Sequence, residues 1–157
     1  MSDDELKNAK ILIVDDHEAN LFVLQELLNK FGYKNQKSLS DPRQVSPTFQ
    51  EWHPDLILLD LMMPYMDGFA VMDALQPLIP PGGYLPILML TADIDAETKK
   101  RALSSGAMDF LTKPFDTTEV ALRIQNLLHT RFLHLQLQDQ NLHLEEKIQE
   151  RTSELRE

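Results

Sequence analysis

Five residues of this chain stand where short apolar runs end. Asp15 and Asp16 follow Ile11-Leu12-Ile13-Val14, Asp60 follows Leu56 to Leu59, Thr91 follows Ile87 to Leu90, and Lys113 comes just after the run from Ala107 to Leu111. Three carboxylates brought together repel one another, and burying them unpaired is costly. A hard divalent cation resolves the conflict, and oxygen ligands with open water positions suit Mg²⁺. A lysine beside them adds a compact positive charge fit for a phosphoryl group, and a threonine hydroxyl can donate to a phosphoryl oxygen. One of the three aspartates is then a nucleophile able to form an aspartyl phosphate. Transfer at such a site rests on charge and positioning. Each residue alone has an ordinary reading: an acidic strand end, a turn hydroxyl, a surface lysine. Their order and shared setting carry the argument.

What must position them is a set of buried strands. The runs at 11–14, 56–59 and 87–90 are continuous rather than alternating, the signature of strands covered on both faces, while that at 107–111 is broken by Asp109. The segment 33–39 is polar and reads as a weaker, edge strand. Over residues 18–31, apolar Leu21, Leu24, Leu27, Leu28 and Phe31 keep helical spacing, and Gly32 closes the segment as a C-cap would. Further helices are expected near 41–51, 67–76, 95–105 and 116–130. Strands alternating with helices predict an α/β fold with a parallel sheet. In such sheets the site lies outside the carboxyl ends of the strands, where the five residues would converge.

Composition narrows the class. The chain has 157 residues, 43% hydrophobic and 25% charged, and carries no cysteine. That excludes disulfides, thiolate zinc sites and cysteine nucleophiles. Its formal net charge of −10, from 25 acidic and 15 basic residues, disfavours direct nucleic-acid binding. The start, MSDDELKNAK, is no signal peptide, and no apolar run approaches the roughly 20 residues needed to span a bilayer. A cytoplasmic protein is the expectation.

From Thr117 onward there is neither proline nor glycine, and the text reads as one helix running past the domain. Leu137, Leu144, Ile148 and Leu155 fit an a/d stripe interrupted by Asn141 and Arg151. A coiled coil that pairs two chains is one reading; a helix packing back on its own domain is the other. Residues 1–8 are expected as an N-terminal tail, 9–130 as the domain and 131–157 as a helical linker.

The segments KILIVDDHEAN, PDLILLDLMMPYMDGF, LPILMLTA and SSGAMDFLTKPF resemble, in order, the motifs of the response-regulator receiver domain of two-component signalling. The resemblance implies a flavodoxin-like (βα)₅ fold with strand order 2-1-3-4-5. It implies that Asp60 is phosphorylated by a histidine kinase or phosphotransfer protein, with Mg²⁺ as cofactor. Asp16 would be the direct metal ligand, Asp15 would act partly through water, and Met62 would lend its backbone carbonyl. Thr91 would be the switch hydroxyl, Lys113 the phosphoryl-pairing lysine and Phe110 the switch aromatic, where many members carry tyrosine. The Lys113-Pro114 bond is typically cis in the family. Pro64 and Gly68 would shape the loop after Asp60, with Gly68 holding a backbone angle other residues resist. Met62 and Asp93 would flank the hydrolytic water, and an apolar Met62, unable to orient it, implies a longer-lived phosphoryl group.

The tail resembles linkers that precede HD-GYP cyclic-di-GMP phosphodiesterase domains. The chain is therefore expected to be a piece of a longer protein, with an output domain in cis. Two other classes compete. A Mg²⁺-dependent phosphohydrolase of the haloacid-dehalogenase type wants a carboxylate two residues after its nucleophile, and Met62 stands there. A pseudo-receiver serving only as a dimerising module would not need the set Asp16, Asp60, Thr91 and Lys113.

Overall fold

A computed structural model describes residues 3–80, 83–92, 95–104, 109–114 and 116–156. Five strands, β1 (Ile11–Val14), β2 (Gln36–Leu39), β3 (Leu56–Asp60), β4 (Ile87–Thr91) and β5 (Asp109–Thr112), form one parallel sheet. Its order is β2-β1-β3-β4-β5, the order the motifs imply. The helices are α1 (Asp3–Lys7), α2 (Glu18–Lys30), α3 (Val45–Trp52), α4 (Gly68–Leu75), α5 (Ala96–Ser104) and α6 (Thr117–Arg156).

The continuous apolar runs are central because both faces of the sheet are covered. Every residue of β1, β3 and β4 is buried. Side chains alternate between faces, so Ile11, Ile13, Leu56, Leu58, Leu88 and Leu90 share one core with α2 and α6. Leu12, Val14, Ile57, Leu59, Ile87 and Met89 share the other with α3 and α4. The polar β2 lies at an edge, partly exposed, and begins at Gln36. It starts there because the turn after α2 takes up the residues before it. Gly32 has φ 89°, its N–H donates to the Asn29 carbonyl, and the Tyr33 N–H donates to the Leu28 carbonyl. That is a Schellman ending, and it favours glycine. The segment expected as the last strand begins at 107, but residues 107 and 108 lie outside the described ones.

Two features extend the domain beyond its expected span of 9–130, the second along the alternative reading of the tail as a helix packing back. The expected N-terminal tail contains α1, whose Leu6 is buried in the α2/α6 core. And α6, 40 residues long, is gripped beyond residue 130. Arg131 Nε donates to Asp55 Oδ1 at 3.0 Å, and the same guanidinium donates to the Tyr84 carbonyl. Asp55 Oδ2 accepts the Lys10 N–H at 2.9 Å, so one carboxylate ties together the starts of β1 and β3 and the helix. The His134 ring packs on Tyr84, centroids 5.5 Å apart. From Asp139 to Arg151 the helix is exposed throughout. Leu137, Leu144 and Ile148 are between 56% and 63% exposed. Among the described residues, no helix is long and apolar enough to cross a membrane.

Candidate functional site

Strand register brings the carboxylates together. Val14 pairs with Leu59, so Asp15 and Asp60, each one residue further on, leave the sheet side by side. Asp60 pairs with Leu90, and Thr91 pairs with Thr112, the residue before Lys113. The Lys113 N–H donates to the Thr91 carbonyl at 2.8 Å. The Lys113-Pro114 bond is cis. All five strand-end residues therefore meet at one edge.

Lys113 Nζ donates to Asp60 Oδ1 at 2.9 Å and to Asp15 Oδ2 at 3.3 Å. Asp15 Oδ1 accepts the His17 N–H at 2.9 Å, so both oxygens of this fully buried carboxylate are engaged. Asp16 is different. Its Oδ1 is buried with no hydrogen-bond partner, although His17 Nδ1 stands 3.2 Å away. One lysine faces three carboxylates, and the surplus negative charge is held in a poorly solvated place. Burial pushes the Asp60 carboxyl above the ordinary carboxylate range. The Lys113 hydrogen bond opposes that rise, while the Asp15 and Asp16 charges add to it. Burial alone would lower the Lys113 ammonium. The hydrogen bond to Asp60 and the charges of Asp60 and Asp15 outweigh it, and the net shift is upward.

These residues fit a hard divalent cation. Carboxylate oxygens of Asp15, Asp16 and Asp60, with a His17 ring nitrogen, lie within 4.8 Å of one another. Surplus carboxylate charge and an orphaned buried oxygen are what such an ion relieves. His17 was not singled out from the sequence; its place directly after the acidic pair was the available signal.

The remaining residues take these positions. Thr91 is buried. Phe110 pairs in register with Met89, and side-chain alternation puts both on the same sheet face as Thr91. Its ring is half-buried against the α3/α4 core, with Lys99 Nζ 5.0 Å from its centroid. Met62 lies just beyond β3 and is 69% exposed. Asp93 lies outside the described residues.

The expectation for Gly68 is corrected. The left-handed residue of this loop is Tyr65, with φ 70°, and Gly68 has no positive φ. What Gly68 supplies is room. A Cβ there would stand 3.0 Å from the Asp60 carbonyl oxygen and 3.0 Å from Met89 Sδ. Its N–H donates to the Leu61 carbonyl at 2.8 Å, which holds α4 against the end of β3.

Comparison with known proteins agrees with this geometry. The family model described as response regulator receiver domain matches residues 11–125. The chain is 38% identical over 125 residues to response regulator PleD of Caulobacter vibrioides, covering 80% of this chain and 27% of PleD. It is 40% identical over 123 residues to the alkaline phosphatase synthesis transcriptional regulatory protein PhoP of Bacillus subtilis, covering 77% of this chain and 49% of that protein. The chain thus spans about a quarter to a half of such relatives' length. Among solved structures, chemotaxis protein CheY4 of Vibrio cholerae superposes with TM-score 0.69 at 29% identity, covering 76% of this chain and 98% of that one. The receiver domain of Francisella response regulator 1452 gives 0.67 at 29%, covering 78% and 98%. Phosphorylation and Mg²⁺ binding at an acidic pocket are general to such domains. This chain belongs to the receiver-domain family of two-component response regulators.

Proposed function

We propose that Asp60 accepts a phosphoryl group from a histidine kinase or phosphotransfer protein, in a Mg²⁺-dependent reaction. The observation that supports this most is the buried Asp60 carboxylate, 2.9 Å from Lys113 Nζ, inside an acidic cluster that one lysine cannot neutralise. An Asp60 oxygen attacks phosphorus, an O–P bond forms, and the P–N bond to the donor imidazole breaks. Lys113 then pairs with a phosphoryl oxygen and Thr91 donates its hydroxyl to another. Asp16 and Asp60 would hold the cation with the Met62 carbonyl, and Asp15 would act partly through water. Bound Mg²⁺ supplies charge neutralisation for the phosphoryl oxygens. No conventional turnover follows from the site; it promotes its own phosphorylation and dephosphorylation.

Phosphorylation adds about −1.5 to −2 of charge if an aspartyl phosphate behaves like other phosphorylated side chains. Thr91 moves toward that charge, and Phe110, on the same sheet face, follows it inward. The change biases the surface around α5, β5 and α6, and α6 carries it to an output domain in cis. By linker resemblance that domain is a cyclic-di-GMP phosphodiesterase of the HD-GYP type. The exposed stripe of Leu137, Leu144 and Ile148 supports a homodimer through α6. The reading places the protein in the cytoplasm, without direct nucleic-acid contact. Acetyl phosphate with and without Mg²⁺ tests the chemistry. A phosphorylated fraction that does not depend on Mg²⁺, or is unchanged in Lys113→Ala, contradicts it. A monomer mass by light scattering, before and after phosphorylation, removes the dimer.

A further inference from the structure

We propose that His17 is an additional ligand of the divalent cation at the acidic site, so that the site takes imidazole-accepting cations such as Co²⁺ more tightly, relative to Mg²⁺, than its carboxylates alone would. The inference rests on the reading of that cluster as a metal site and adds to it a residue of this chain.

His17 occupies the N-cap of α2, yet its side chain makes no capping hydrogen bond. Its backbone is fixed instead, with the N–H donating to Asp15 Oδ1 at 2.9 Å. That anchor leaves the ring over the site on its solvent side, where the side chain is 68% exposed. Nδ1 lies 3.2 Å from Asp16 Oδ1, the buried oxygen without a hydrogen bond, and 3.6 Å from Asp15 Oδ1. Two ligands on adjacent corners of an octahedron with bonds of 2.0–2.1 Å are about 3.0 Å apart. The His17–Asp16 separation is therefore close to that of neighbours on one ion. Carboxylates alone suit Mg²⁺ well. An imidazole nitrogen does little for Mg²⁺ and more for Mn²⁺, Co²⁺ and the later divalent cations.

The competing explanation is that His17 only forms an ion pair with Asp16. The two differ in what removing the ring does. An ion-pairing ring competes with every cation alike, so His17→Ala would strengthen Mg²⁺ and Co²⁺ binding by the same factor. A ligating ring contributes unequally.

Calorimetric titration of the wild type and His17→Ala with Mg²⁺ and with Co²⁺ decides between them, with pulsed electron paramagnetic resonance of the Mn²⁺-loaded proteins as the direct probe. The exposed position lets the variant fold, which circular dichroism checks. The expected result is a Co²⁺-to-Mg²⁺ affinity ratio at least tenfold lower in His17→Ala, with Mg²⁺ affinity itself within threefold. A directly bonded ¹⁴N coupling should be present in the wild type and lost in the variant. A ratio unchanged within threefold, or a wild-type Mn²⁺ spectrum without that coupling, overturns the proposal and leaves the acidic site standing. No binding of any of these cations by the wild type overturns both.

Discussion

Replacing Arg131 by alanine would loosen the joint between the domain and its long helix. Arg131 and Asp55 are 15% and 14% exposed at their side chains, with Nε 3.0 Å from Oδ1. An exposed pair would contribute at most about 1 kcal/mol, and breaking a fully buried one would cost about 3–5 kcal/mol. This pair lies between those limits. Asp55 keeps the Lys10 N–H when Arg131 is gone, which softens the loss, while the Tyr84 carbonyl loses the guanidinium donor. The sum is a destabilisation of about 2 kcal/mol, in the range expected for hydrogen bonds to charged groups. For a chain of 157 residues that lowers the melting temperature by roughly 4–8 °C. Urea unfolding followed by circular dichroism measures the energy, and hydrogen exchange locates it. Amides of residues 126–140 should exchange faster than in the wild type, while those of β1 and β3 change only as far as global stability falls. A loss below about 0.5 kcal/mol, the scale of an ordinary surface change, would refute the reasoning. Unchanged exchange in 126–140 would do the same.

Four further outcomes follow from the site. Gly68→Ala places a Cβ 3.0 Å from the Asp60 carbonyl oxygen, so it should cost about 1–3 kcal/mol in urea unfolding; a neutral effect would show that the end of β3 gives way freely. Asp60 has a raised carboxyl pKa, so the folded state binds its proton more tightly than the unfolded one. Metal-free stability from this group is therefore greatest at low pH and is lost as pH rises from the ordinary carboxylate value through the raised one. Asp60→Asn should then be the more stable protein at neutral pH without metal, with that advantage fading on acidification. Mg²⁺ at a hundredfold excess over its Kd should stabilise the wild type by about 2.7 kcal/mol and the variant much less; equal stabilisation of both contradicts this. Met62→Asn should shorten the phosphoryl lifetime by giving the hydrolytic water a polar neighbour, and an unchanged dephosphorylation rate sinks that idea.

The strands were legible because β1, β3 and β4 are buried on both faces, which leaves an unbroken apolar run in the sequence. Their ends were legible for the same reason: a charged residue closing such a run has to sit at the sheet edge. Parallel register then decides which ends meet; the family motifs supplied the strand order but not that register. The edge strand β2 was blurred by its exposure, which removes the apolar signal. Gly68 was placed in the right loop for the wrong reason, since crowding by Asp60 and Met89 depends on packing that no local pattern reveals. Arg131 and Asp55 are 76 residues apart, and neither belongs to a motif that would pair them. His17 was overlooked because its closeness to Asp16 depends on how a single side chain turns.

The central claim is that Asp60 is the phosphoacceptor. Intact mass of the wild type and of Asp60→Asn after incubation with acetyl phosphate and Mg²⁺ tests it most directly. One added phosphoryl group, about 80 Da, is expected on the wild type and none on the variant. An equal phosphorylated fraction in Asp60→Asn would place the acceptor elsewhere and contradict it.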